Sequence, residues 1–269
     1  MVESSMGMPE ILALVVVVAV LLLVLRAIVV GWRSRARLSR FLASPLPAGW
    51  WQIVVRDVPL AARIPRELRP RYERLIKEFV AEKNFEACGG LATVSDKIAM
   101  VVAANASLLA LGRERRAWQA LRSVLIYPSS FRSRVAGAGD DELSDGESWS
   151  GGTVIFSQER ILHDIAFAGN PRNVVIHEFA HQFADTEGVC LSQDFERKWK
   201  GVLAAEMRRL QSGDARTILD EYGADDPAEF FAVGTEAFFE TPEEMKKSHP
   251  ELYAALSRIY ALDPAGFVA

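Results

Sequence analysis

The longest uninterrupted apolar run begins near the start of the chain. Ile11 to Leu25, ILALVVVVAVLLLVL, holds no polar residue, and after Arg26 the run resumes as AIVVGW. As a helix, residues 11–32 rise ~33 Å, enough for a hydrocarbon core of about 30 Å. Arg26, near one end, has a stem long enough to bring its charge to the headgroups. The acids in MVESSMGMPE argue against a cleaved signal peptide. The expectation is therefore a short tail (1–10), a transmembrane helix (11–32) and a basic, proline-containing linker (33–50), followed by a folded domain (51–265). Arg33, Arg35, Arg37 and Arg40 crowd the C-terminal flank. By the positive-inside rule they predict a single pass through the cytoplasmic membrane, with the domain facing the cytosol.

Beyond the linker the apolar period changes. Leu68, Tyr72, Leu75, Ile76, Phe79 and Val80 form one stripe and predict an amphipathic helix over 66–84. The alanine-rich segment 95–111 predicts a buried helix. SVLIYPSSF (123–131) predicts a strand ended by proline, and GGTVIFS (151–157) predicts a second strand. Between them, residues 133–148 are rich in Gly, Asp and Ser and predict a loop. Asn170 as N-cap and Pro171 at the first helical position start a further helix running to Ala184. Helices are also expected at about 192–211, 227–240 and 249–261. There is no internal repeat, and the balance predicts an α+β fold in which helix dominates.

With 269 residues, 50% of them hydrophobic, the chain can bury a full core. The net charge of −4 leaves no basic footprint for nucleic acid. Cys88 and Cys190 are far apart, with no C-x-x-C spacing, and read as free thiols in a reducing compartment.

Chemistry concentrates in NVVIHEFAHQFADTEG (173–188), which holds two of the four histidines. On a helix His177 and His181, at i and i+4, share one face about a turn apart and can both reach one zinc ion. Glu178 lies ~100° around the helix, where it can take a proton from water without being a ligand. Polar residues on so apolar a helix would need buried partners, which a metal site supplies. A catalytic zinc needs a third protein ligand. His163 and His249 sit in no second motif, and no histidine follows His181 at the spacing of the longer H-E-x-x-H-x-x-G-x-x-H pattern. Acids on the helix in YGADDPAEFFAVGTEAFFE (222–240) are the other source. Glu229 and Glu236, seven apart on nearly one face, both qualify, and Asp226 with Glu229 also fits a capping box. A purely structural zinc is disfavoured, because neither cysteine is placed to close the coordination.

The segments VLIYPSSF, ESWSGGTVIFS, NVVIHEFAHQFADTEG and DPAEFFAVGTEAFFE, in that order, resemble the Mlc titration factor A family of zinc-dependent peptidases, over roughly residues 50–265. The resemblance implies a gluzincin-like metallopeptidase domain with a small sheet and one Zn2+ held by His177, His181 and Glu229. Glu178 is then the general base and Glu236 an acid behind the ligands. Tyr222 matches a family tyrosine, and in the related toxin-type gluzincins a tyrosine there assists at the oxyanion. Peptides or proteins are the implied substrates, hydrolysed with a zinc-activated water. A transcriptional repressor is the implied binding partner, since the family is named for sequestering one. Family members often carry an aspartate three residues after the second histidine, where this chain has Ala184 and then Asp185. This leaves the partner of one zinc histidine unassigned. The strand GGTVIFS is expected to be an edge for an extended substrate, and the 133–148 loop a lid.

Overall fold

The structure is a computed structural model that describes residues 26, 39–113, 118–133, 143–149, 151–167, 169–186, 193–213 and 217–267. The chain divides after Pro45, and the architecture that follows is that of the unit beginning at Leu46.

Helix α1 (Ala48–Asp57) and the single turn α2 (Pro59–Ala62) lead into α3 (Arg69–Glu82), strand β1 (Asn84–Ala87) and α4 (Asp96–Ala110). Strand β2 (Ser123–Tyr127) stops at Pro128, which lacks the N–H that a ladder needs. The two-residue strands β3 (Phe131–Arg132) and β4 (Leu143–Ser144) pair antiparallel with each other. Next come β5 (Gly146–Trp149), β6 (Thr153–Ser157), α5 (Gln158–Ala166) and α6 (Val174–Thr186). The chain continues through α7 (Gln193–Gln211), a 3-10 turn (Glu221–Ala224), α8 (Pro227–Glu240), α9 (Pro242–Ser248) and α10 (Pro250–Tyr260). Helix dominates, as the periodicity predicts, and the sheet is small.

The main sheet has the order β1-β2-β6-β5, with β1, β2 and β6 parallel and β5 antiparallel to β6. This corrects two expectations. GGTVIFS is no edge, since β6 lies between β2 and β5. Its near-continuous apolar run, buried from Val154 to Ser157, is the pattern of an interior strand covered on both faces. The edge is β5, formed from the end of the segment expected to be a loop. Gly152, at φ +81°, closes the turn between them with its N–H donating to the Trp149 carbonyl. A Cβ there would collide with the Ala120 carbonyl oxygen. Residues 134–142 of the expected loop lie outside the described residues.

The core lies between the sheet and the helices. Helix α4 is buried on almost every face, from Ile98 to Ala110, so it is apolar all round and not striped. It packs on α1, α3 and α6. Phe179 of α6 meets Phe79, Trp118 and Phe156 at edge-on or tilted angles, which locks the helix against α3 and β6.

The expected transmembrane helix and the single-pass location are also corrected. Among the described residues no helix is long and apolar enough to cross a membrane. The longest, α7, is lined with charged positions such as Lys200, Arg208 and Arg209. Of residues 11–32 only Arg26 is described; the rest of that segment lies outside the described residues, as does Cys190. Cys88 is a free thiol.

Candidate metal centre

Helix α6 begins three residues later than Pro171 suggests, and its cap is Asn173, not Asn170. The Asn173 side-chain oxygen accepts from the Val175 and Ile176 N–H groups at 3.0 and 3.1 Å. Asn170 instead forms a small turn, accepting from the Arg172 N–H. The same Asn173 ties α6 to α8. Its backbone N–H donates to Glu236, and its side-chain amide donates to Glu240 at 2.6 Å. Beside it, the Val174 N–H donates to Asp164 of α5 at 2.9 Å. Three acids thus face the N-terminus of α6, where a carboxylate is favoured by the helix dipole.

Helix α8 starts where the sequence places it. Asp226 caps it by accepting from the Ala228 and Glu229 N–H groups at 2.6 and 3.0 Å, with Pro227 at the first position. The carboxylate of Glu229 takes no part in that cap, so it is free to point at α6. His177 Nε2 lies 3.0 Å from Glu229 Oε2 and 3.2 Å from His181 Nε2, and His181 Nε2 lies 3.5 Å from Glu229 Oε1. The three side chains form a cluster able to hold a metal ion. A tetrahedral zinc with ligands at about 2.0–2.2 Å separates its donor atoms by ~3.4 Å. The observed edges bracket that figure, so the donor set and its spacing fit zinc. Two imidazole nitrogens and a carboxylate crowded this closely also need a shared cation or proton between them. The three side chains remain 14%, 19% and 19% exposed, so one side of the cluster is open to water.

Glu236 sits behind the cluster. Its Oε1 lies 2.7 Å from His177 Nδ1, the ring nitrogen turned away from the other two donors. The structure thereby gives His177 a carboxylate partner, in place of the aspartate missing at Ala184. Burial opposes the His177 imidazolium, yet Glu229 and Glu236 together hold its pKa well above the ordinary value. For Glu229, burial is outweighed by hydrogen bonds from both histidines, and its pKa falls to about 2.

Glu178 lies against Gly146 of β5, near both histidines. It is buried, and burial lifts its pKa to about 7, with the neighbouring carboxylates adding to the rise and the histidines opposing it. A carboxyl poised there can exchange protons near neutral pH. Gly146 makes room for it: a Cβ at that position would lie 2.7 Å from Glu178 Oε1. Buried Gln182, one turn on, donates to the Ser148 hydroxyl at 2.7 Å and the Trp149 carbonyl at 3.0 Å, pinning β5 alongside α6. Tyr222, in the 3-10 turn, lies half-exposed across the cluster, its ring 6.1 Å from that of His177.

The other two histidines lie elsewhere. His163 is exposed on α5, and His249 is buried between α9 and α10, bonded to Glu206 and Thr217. Sequence reasoning missed Asn173, Gly146 and Gln182. Only Asn173 carried a signal, as a capping residue immediately before the apolar run.

The sequence profile described as Glucose-regulated metallo-peptidase M90 matches residues 31–261. An uncharacterized protein of Synechocystis, slr2042, is 32% identical over 251 residues, covering 87% of this chain and 89% of that protein. Mlc titration factor A of Pectobacterium atrosepticum is 28% identical, covering 80% of this chain and 86% of the relative. Mlc titration factor A of Cronobacter sakazakii is also 28% identical, covering 87% and 92%.

Proposed function

This chain belongs to the glucose-regulated metallo-peptidase M90 family, and we propose that it hydrolyses peptide bonds at a single zinc ion held by His177, His181 and Glu229. The observation that carries this reading is the cluster of two imidazole nitrogens and the two Glu229 carboxylate oxygens, with separations of 3.0, 3.2 and 3.5 Å, set beside a buried carboxyl with a pKa of about 7. Zinc bound there supplies Lewis acidity and acidifies water.

The chain's own groups do the rest. Glu178 takes the proton of the attacking water and returns it to the departing amine. The Tyr222 hydroxyl, on the open side of the cluster, donates to the carbonyl oxygen as charge develops there. Glu236 holds the His177 ring at the angle that the donor set requires. The edge of β5, unpaired by any strand among the described residues and alongside α6, pairs with an extended substrate strand. Gly146 keeps that edge close to Glu178.

The test is zinc content and peptide hydrolysis, read side by side in the full-length protein, Glu178→Gln and Glu229→Ala. The expected result is one zinc and activity in the wild type, one zinc without activity in Glu178→Gln, and no zinc in Glu229→Ala. Zinc in the wild type without cleavage of any member of a broad peptide pool overturns the peptidase reading.

A second reading draws on the relatives' printed name, Mlc titration factor A. In it the chain binds and sequesters a transcriptional repressor, and hydrolysis is secondary. A cellular effect that Glu178→Gln leaves unchanged would favour it.

A further inference from the structure

Tyr222 stands on a single 3-10 turn, Glu221–Ala224, whose hydrogen bonds are poorer than those of an α-helix. The inner side of the turn is packed. Gly223 is buried so close to α8 that a Cβ there would lie 3.2 Å from the Val233 side chain, and the Ala224 carbonyl accepts from Gln211 of α7. Those contacts tie the turn to α7 and α8, and none of them reaches α6, which carries the histidines. The tie on the α6 side runs through Asp220. Its Oδ1 accepts the Tyr222 N–H at 3.0 Å, while its Oδ2 is ion-paired with Arg172. Arg172 is itself placed by its neighbours. Asn170 accepts its N–H, and the next residue, Asn173, caps α6 and donates its own N–H to Glu236. Glu236 in turn holds His177.

A continuous chain of contacts therefore leads from the backbone of Tyr222, through Asp220, Arg172 and Asn173, to the ring of His177. The Asp220 side chain is 14% exposed and that of Arg172 is 54% exposed. Ion pairs this open to water add little to the stability of a fold. What this one supplies is position, and a misplacement of about 1 Å in a reacting group can cost about 10²-fold in rate. We infer that Arg172 and Asp220 are positioning residues that hold Tyr222 against the cluster of His177, His181 and Glu229. The inference rests on the peptidase reading above, with Tyr222 as the donor to the carbonyl oxygen.

The experiment uses the full-length, zinc-loaded protein and two readouts. The first is peptide hydrolysis. Arg172→Ala should lower kcat about tenfold, as should Asp220→Asn, which keeps an oxygen for the cap and loses only the ion pair. KM, zinc content and melting temperature should stay near wild type, and Arg172→Lys should recover part of the loss. In a Tyr222→Phe background Arg172→Ala should cost less than twofold, because the hydroxyl it positions is gone. An equal loss in that background, a loss that falls on KM, or an unchanged kcat in both variants would overturn the assignment. The second readout needs no turnover. It is carbon-13 NMR of ring-labelled tyrosine, with the Tyr222 signal identified by its disappearance in Tyr222→Phe. In Arg172→Ala that signal should sharpen and move to the position of a freely mobile tyrosine, and a signal unchanged from wild type would overturn the positioning role. A wild type that cleaves nothing removes the peptidase reading alone, and the ring signal then decides whether Arg172 and Asp220 fix Tyr222.

Discussion

Glu236 Oε1 stands 2.7 Å from His177 Nδ1, and its other oxygen takes the backbone N–H of Asn173, four residues before that histidine. One carboxylate on α8 therefore fixes both the ring of a candidate ligand and the start of the helix that bears it. Loss of such a partner typically weakens metal by 10- to 100-fold. Glu236→Ala should weaken zinc by that factor in a chelator competition, while Glu236→Gln should fall between it and wild type.

The buried carboxyl of Glu240 sets a pH dependence of stability. Burial, together with nearby Glu236 and Asp164, raises its pKa from 4.5 to about 7 in the metal-free fold. Below pH 4.5 the folded and unfolded states both hold the proton. Between 4.5 and about 7 only the folded state holds it, so stability falls as pH rises through this window, by up to about 3 kcal/mol. Without added metal, Glu240→Gln should match wild type at pH 4.5 and melt several degrees higher at pH 8. Equal melting temperatures at pH 8 would count against this account.

Gly146→Ala puts a methyl group 2.7 Å from both Glu178 Oε1 and the Val174 side chain. Either β5 moves away or Glu178 does. The expected cost is about 1–3 kcal/mol in stability. Turnover should fall at least tenfold, with zinc content unchanged, because the ligands lie on other faces of α6 and on α8.

Tyr222→Phe removes a hydroxyl and little else, since the ring is half-exposed. Removing an oxyanion donor typically costs 10²–10³ in kcat. The variant should lose about that much, with KM, zinc content and melting temperature near wild type. A kcat within twofold of wild type would remove Tyr222 from the reaction.

Much of this arrangement is legible in the residues. The HEFAH spacing and the apolar neighbours Val175, Ile176 and Phe179 place two histidines on one helical face, and Asp226-Pro227 marks the start of α8 closely enough to place Glu229. These are local signals, and backbone geometry alone enforces them. The choice between Glu229 and Glu236 was open from spacing, because it depends on how α8 crosses α6. The crossing turns one acid to His177 Nε2 and the other to Nδ1. The edge strand was hidden for a similar reason: Gly146 to Trp149 has weak strand character of its own and is extended by pairing with β6 and by the grip of Gln182. Asn105 reads as one more residue of an alanine-rich helix. Only the packing of α4 against three other helices shows that it lines a small cavity.

The two helices contribute to the candidate metal centre unequally. His177 and His181 project from the interior of α6, while Glu229 projects from the opening turn of α8, whose first N–H groups are capped by Asp226. Helix ends fray more readily than their middles. Glu229 therefore sits on the helix end, where its position depends on the Asp226 cap. The lifetime of bound zinc should then be governed by the Asp226 cap, a residue that never touches the ion. Asp226→Ala should speed zinc release far more than it lowers the melting temperature.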